Sequence, residues 1–323
     1  MKSNALGSLG AVSRLTLGGG GIGQAWGLTD RDEAVATLKA AVEAGIDLID
    51  TAPMYLNCEA VVGETFQGAP PPHVRFTTKC ALGSPPVGET AARLEASLAA
   101  TLAAMRLERI DVFFLHSSIA PDGYAYAHGD ARRDAFSTRW STYVDEVVPA
   151  FERLTAQGRI GAWGITGIGV PQSVLAALEQ QPRPAVAQVI TNLLDSAGGI
   201  RRFAEPADPR TILAAATARG VGVMGIRAVQ AGALTSALDR AVSPNNPDAK
   251  DYERAAPFRA LCRDWGEVPA VVAHRYALGL PGVDTLVLGV KNRDELQQAL
   301  AAEAAGPLAV DQLARIEQLG LRT

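Results

Sequence analysis

Cysteine is scarce in this chain. Cys58, Cys80 and Cys262 are the only three among 323 residues, and no two stand at CxxC spacing. That argues against a disulfide framework and suggests a reducing compartment. Long apolar runs are missing too: nothing approaches the roughly 20 apolar residues that a membrane-crossing helix needs. The opening MKSNALGSLGAVSRL has an early lysine but no continuous hydrophobic segment, so no signal peptide is read there. No lysine- or arginine-rich run occurs and the net charge is only −4, which makes nucleic acid a poor candidate partner. These absences leave a cytoplasmic globular protein as the expectation, with no membrane, no nucleic acid and no metal.

What is present is material for a large core. Hydrophobic residues make up 48% of the chain, normal for a globular protein, and the length suits one large α/β domain or two ordinary ones. Along the chain a β-then-α rhythm repeats without a break in composition. Strands are read over 15–17, 45–50, 74–79, 110–115, 160–165, 185–190, 221–226 and 285–288. Helical spacing occupies 32–44, 58–66, 89–105, 140–157, 171–179, 211–219, 268–278 and 293–302, with a tail helix over 310–319. Strands that alternate with helices of this length imply parallel pairing. About eight units fit a (β/α)₈ TIM barrel, whose usual size is about 250 residues plus insertions. The expectation is one barrel domain over 1–323, with a C-terminal helix and long loops at the C-terminal face. The excess length falls in 117–139 and 232–254. The first of these holds Tyr124, Tyr126 and His128, which favours a substrate-facing lid over a loose surface excursion.

Three successive strands end on ionisable groups. GIDLID ends on Asp50, with Tyr55 just beyond in the turn; VRFTTK ends on Lys79; IDVFFLH ends on His116. Alone, each has an ordinary explanation: Asp50 as a cap, Lys79 as a solvated strand end, Tyr55 as packing, His116 as a core histidine. Together, at the carboxyl ends of parallel strands, they point to a shared pocket. A phenol is a poor proton donor near neutrality, and a nearby ammonium favours its ionised form and lowers its pKa. Asp50 would keep Lys79 charged, and a neutral His116 would hold a carbonyl oxygen. Such a set suits carbonyl reduction or alcohol oxidation.

At these residues the chain closely resembles the aldo-keto reductase family. The resemblance rests on GIDLIDTAPMY with GETF after it, on the lysine of TTKC, on FFLHSS, and it runs to TLVLGVKNRDEL near the carboxyl end. It implies a (β/α)₈ barrel that transfers hydride between NADP(H), or alternatively NAD(H), and a small-molecule carbonyl or alcohol. It makes Tyr55 the general acid/base, Lys79 and Asp50 the groups that tune it, and His116 the group that orients substrate. It also places the cofactor. Gln188 and Asn192 match the QxxxN segment that holds the nicotinamide carboxamide. Gly232, Ala233 and Leu234 match the loop whose amides embrace the pyrophosphate, in keeping with phosphate sites after strands seven and eight of barrels. Lys291, Asn292 and Glu295 correspond to positions around the adenosine 2′-phosphate, and Lys291 with Arg293 inclines the reading towards NADP(H). This chain departs from the pattern at Thr166-Gly167, at Ile226 with Arg227 beside it, and at Ala299. Arg227 would meet a phosphate or an acidic substrate.

Gly18, Gly20 and Gly23 satisfy GxGxxG, but that fingerprint needs a helix opening within it. Residues 24–29 intervene before the helix read over 32–44, so a glycine loop crossing the barrel mouth is expected instead. Trp26, Tyr124 and Tyr126 are candidate substrate contacts. Two other functions compete with hydride transfer. One is a Schiff-base aldolase or lyase using Lys79, which would want that lysine without a carboxylate partner. The other is a cofactor-binding regulatory subunit.

Overall fold

The computed structural model describes residues 1–238 and 240–322. Eight strands follow the apolar runs of the sequence: β1 (Leu15–Gly18), β2 (Leu48–Asp50), β3 (Arg75–Cys80), β4 (Ile110–Leu115), β5 (Ile160–Thr166), β6 (Val186–Ile190), β7 (Gly222–Ile226) and β8 (Thr285–Leu288). They pair in chain order, all parallel, and β8 returns to β1 to close the barrel. The helices are α1 (Arg31–Glu43), α2 (Cys58–Phe66), α3 (Thr90–Met105), α4 (Val148–Ala156), α5 (Pro171–Glu179) and α6 (Pro209–Ala218). After β7 come α7 (Pro247–Arg254), α8 (Ala256–Asp264) and α9 (Pro269–Leu278); α10 (Arg293–Ala305) follows β8 and α11 (Val310–Gln318) ends the series. The TIM-barrel architecture expected from the rhythm is therefore the one observed.

Side chains alternate across a strand, and the two faces here differ in character. Leu17, Ile49, Phe113, Leu115, Ile165, Val189 and Leu288 join the large core shared with the helices. Leu48, Val112, Phe114, Val186 and Met224 form a separate cluster inside the barrel. Further along the same inward rows stand Asp50, Lys79 and Gln188, all buried. The barrel interior is thus apolar in its lower part and polar at its C-terminal rim.

Four features differ from the sequence reading. A hairpin of Ser3–Ala5 against Ala11–Ser13 lies below the barrel; its Leu6 and Val12 seal the interior cluster, and Arg75 at the start of β3 donates to Leu9 O (3.1 Å). The helix read over 140–157 is interrupted by a π-helical turn, Tyr143–Val147. Pro149 has no N–H for the α-helical ladder, and just ahead of it Val148 N bonds Tyr143 O instead. The 232–254 excess contains α7, which Asn246 caps by accepting from Asp248 N (2.9 Å). The 117–139 excursion is packed: Ser118–Ala120 pairs with Ser137–Arg139, and Tyr126 lies buried with Ala120, Val170 and Phe203.

Interior packing under the rim is close at Gly164 of β5. A methyl group there would stand 2.4 Å from Cε1 of Phe114 and 2.6 Å from the Val186 carbonyl oxygen, and the backbone oxygen cannot step aside. Gly164→Ala is expected to destabilise the fold by about 1–3 kcal/mol, read from the urea unfolding midpoint; an unchanged midpoint would mean the interior is looser than described.

Candidate active site

Register and alternation bring the ionisable groups together. Asp50 at the end of β2 stands opposite Thr77 of β3, and Lys79 follows two residues later on the same inward row. His116 lies one residue past β4, where its N–H donates to Cys80 O (2.8 Å) and extends the ladder. Tyr55 ends a short 3₁₀ turn, Pro53–Tyr55, above β2. That turn sits tightly on the glycine segment: a side chain at Gly23 would approach the Tyr55 carbonyl to 2.0 Å.

At the centre is a fully buried ion pair. Lys79 Nζ donates to Asp50 Oδ2 (2.6 Å) and to the Thr51 carbonyl (2.9 Å). The other carboxylate oxygen, Oδ1, accepts from Thr77 Oγ1 (2.6 Å) and from Gln188 Nε2 (2.8 Å). Burial acts most strongly on the Lys79 ammonium and opposes its charge, yet Asp50 and Tyr55 together outweigh it, so the lysine pKa lies above its ordinary value. The Lys79 ammonium is 4.5 Å from the centroid of the Tyr55 ring, and His116 meets that ring edge-on at 5.9 Å between centroids.

The tyrosine is tuned differently from the sequence expectation. Burial raises the phenol, the Lys79 charge lowers it, and the net direction is upward. The ammonium therefore restrains a rise rather than producing a fall. His116 is depressed to about 3, by burial first and by the Lys79 charge second, so its imidazole is neutral near pH 7. Its Nδ1 is buried without a hydrogen-bond partner, while Tyr55 and His116 both keep part of their surface open. The two residues thus stand partly open at the rim of the barrel, while the His116 Nδ1 itself is shut off from solvent.

Other predicted residues are placed less simply. Gln188 belongs to the ion-pair cluster through Asp50. Thr166 points its hydroxyl to the carbonyls of Leu115 (3.2 Å) and His116 (3.4 Å). Asn192 is wholly used within the protein: its Oδ1 accepts from Leu194 N and Ser196 N, and its Nδ2 donates to Ser196 O and Gln230 Oε1. Ile226 ends β7 half-buried. Arg227 reaches Gln230 Oε1 (2.9 Å) and Asp248 Oδ1 (3.0 Å), nearly buried. The amides of Gly232, Ala233 and Leu234 bond Val229 O and Gln230 O within their own turn. Lys291 pairs with Glu295 (3.1 Å), and Asn292 caps α10 by accepting from Glu295 N (2.9 Å). Trp26 is exposed and its backbone N–H donates to Gly20 O. Tyr124 donates to Glu205 and Tyr126 to Ser137 Oγ, away from the ion pair's own hydrogen bonds. The glycine segment does open a helical turn, Gly19–Ile22, within GxGxxG, contrary to expectation, but the closed sheet is no Rossmann fold.

Sequence reasoning missed Thr77 and the Thr51 carbonyl. The signal for Thr77 was available: it stands two residues before Lys79 on a strand, hence on the same face.

Comparison with known proteins agrees with this geometry. The family model described as the aldo/keto reductase family matches residues 14–320. The chain belongs to the aldo/keto reductase family. The family comprises oxidoreductases acting on carbonyls and alcohols with nicotinamide cofactors, so the chain is an enzyme of that kind, taking a small-molecule substrate. Among curated relatives, L-galactose dehydrogenase of Arabidopsis thaliana is 23% identical over 303 residues, 92% of this chain and 86% of that protein. A methylglyoxal reductase of Escherichia coli is 31% identical over 144 residues, covering 43% of this chain and 41% of its own. Among solved structures, the holo form of an aldo-keto reductase from Bacillus halodurans superposes with a TM-score of 0.71 at 21% identity, covering 99% of this chain and 96% of that one. A glycerol dehydrogenase from Gluconobacter oxydans gives 0.71 at 22% identity, with 98% and 94% covered.

The buried pair makes a stability prediction. Removing one partner leaves an uncompensated charge, so Asp50→Asn should cost about 3–5 kcal/mol of unfolding free energy. Combining it with Lys79→Met should recover most of that loss in the same denaturation experiment. A double variant as unstable as the single one would show that the pair is not the source of the effect.

Proposed function

We propose that this aldo/keto reductase moves a hydride between a nicotinamide dinucleotide and a small carbonyl or alcohol, with Tyr55 as general acid/base. The observation that carries the reading is the buried Lys79–Asp50 pair lying under the Tyr55 ring beside a neutral His116. When bound, the nicotinamide supplies or takes up the hydride; the remaining tasks fall to side chains.

In the reducing direction, the proton on the Tyr55 hydroxyl passes to the carbonyl oxygen as hydride reaches the carbonyl carbon. The raised phenol keeps that proton in place at neutral pH. As it leaves, negative charge appears on the tyrosine oxygen next to the Lys79 ammonium, which is held protonated by Asp50. That stabilisation develops only along the reaction, the kind of interaction that lowers a barrier. His116, neutral at its depressed pKa, is suited to hydrogen-bond the substrate oxygen without competing for the proton. Gln188 holds Asp50 from the far side of the barrel and acts as a positioning residue.

The Schiff-base alternative fares poorly on the same observation. A lysine bound to a carboxylate at 2.6 Å, with its pKa pushed up, offers no free amine for carbonyl attack. The names of the relatives, L-galactose dehydrogenase, methylglyoxal reductase and glycerol dehydrogenase, support a small, oxygen-rich substrate.

Tyr55→Phe should lower turnover by about 10²–10⁴-fold while dinucleotide affinity, measured by tryptophan fluorescence quenching, stays near that of the parent. Full activity in this variant would remove Tyr55 from the acid role. Reduction should also persist through neutral pH and decline only as pH rises through the raised phenol value, with oxidation gaining over the same alkaline range. His116 should contribute no inflection near its ordinary value of about 6.5. An inflection there that disappears in His116→Gln would contradict the neutral imidazole.

A further inference from the structure

On the dinucleotide reading above, NAD(H) and NADP(H) are told apart by what meets the adenosine ribose, and the starts of α1 and α10 face each other across an open cleft. NAD(H) and NADP(H) differ by one phosphate ester on the adenosine ribose, which carries about −1.5 to −2 charges at neutral pH. Barrels bind phosphates at the loops after strands seven and eight, which puts α10, directly after β8, at that end of the site. The cations expected to meet an extra phosphate there are Lys291 and Arg293.

Both are already taken. Glu33, in the first turn of α1, accepts from Arg293 four ways: from its backbone N (2.8 Å), from Nε at each carboxylate oxygen (3.1 and 3.2 Å) and from Nη2 (2.8 Å). Lys291 has Glu295 on its ammonium (3.1 Å) and on its backbone N (2.9 Å). The Glu295 N–H goes to Asn292 (2.9 Å), and Arg31 goes to Glu64 (2.7 Å). An open cleft of about 550 Å³ between the two helices is lined by Asp30, Arg31, Asp32, Glu33, Ala36 and Arg293, three carboxylates against two guanidiniums. Counting Lys291, Asp294 and Glu295 as well gives three cations and five carboxylates.

An unphosphorylated ribose offers hydroxyl donors to such carboxylates, the arrangement by which acidic residues select NAD. A phosphate meets the same carboxylates as like charges. We infer that Glu33, by holding Arg293 and placing its own charge in this cleft, makes the enzyme prefer NAD(H) over NADP(H). This reverses the leaning towards NADP(H) that Lys291 and Arg293 suggest as bare sequence. The Arg293 side chain is more than half exposed, and an exposed pair is worth little as a lock. Selectivity therefore comes mainly from the Glu33 carboxylate's own charge beside Arg293, with its acidic neighbours adding less, and should weaken with salt.

The test is equilibrium binding of NADH and NADPH to the intact protein by isothermal titration calorimetry. The parent should bind NADH at least about tenfold more tightly, and Glu33→Gln should raise NADPH affinity about tenfold while leaving NADH within about twofold, less so at high salt. Asp32→Asn removes a neighbouring charge without touching Arg293 and should move the ratio less. A parent that favours NADPH, an unchanged ratio in Glu33→Gln, or an equal shift in Asp32→Asn would each overturn the role given to Glu33. Binding of neither dinucleotide would overturn the oxidoreductase proposal itself, and this inference with it.

Discussion

The contact between Lys79 Nζ and Asp50 Oδ2, 2.6 Å long and shut off from solvent, sets the terms for the rest of the barrel. Desolvating two charges costs several kcal/mol per ion, and their attraction repays this only with good geometry and further hydrogen bonds. The barrel supplies those bonds from three places: the Thr51 carbonyl, the Thr77 hydroxyl and the Gln188 amide. β2, β3 and β6 must hold their register for all of them to be made. An apolar interior below the rim, filled by Leu48, Val112, Phe114, Val186 and Met224, keeps water from reaching the pair from beneath.

One consequence is electrostatic. Because Lys79 stays charged, it depresses His116 together with burial and offsets part of the rise that burial gives Tyr55. A single cation thus pulls both neighbours the same way, towards the deprotonated form: it helps keep the imidazole neutral and limits the rise of the phenol.

The far side of the mouth is organised by a second polar network. Asn192, Gln230 and Asp251 bond in sequence, and Arg227 joins Gln230 to Asp248 of α7. Arg227, Gln230 and Ala231 all adopt positive φ, as does Leu56 directly after Tyr55. Conformations of that kind persist where surrounding structure holds them, and they gather at functional sites. Arg227, Gln230, Asp248 and Asp251 are thereby tied into a prebuilt polar wall, each bonded to another of the set or to Asn192.

Much of this was legible in the sequence. The β-then-α rhythm settled the architecture because each period reports which face of an element is buried, and the tetrad stood out because successive parallel strands must end at one rim. Residues such as Asp50, Lys79 and His116 needed only alternation and strand order to be brought together. Tertiary structure alone decided the rest: that the phenol rises rather than falls, that Asn192 and Arg227 face inward partners, that a hairpin seals the barrel floor, and that Arg293 belongs to Glu33, 260 residues away. Those outcomes depend on distances between segments remote in the chain and on how much water is excluded around them. Local sequence carries the first link of that chain of causes, and only closure of the barrel supplies the others.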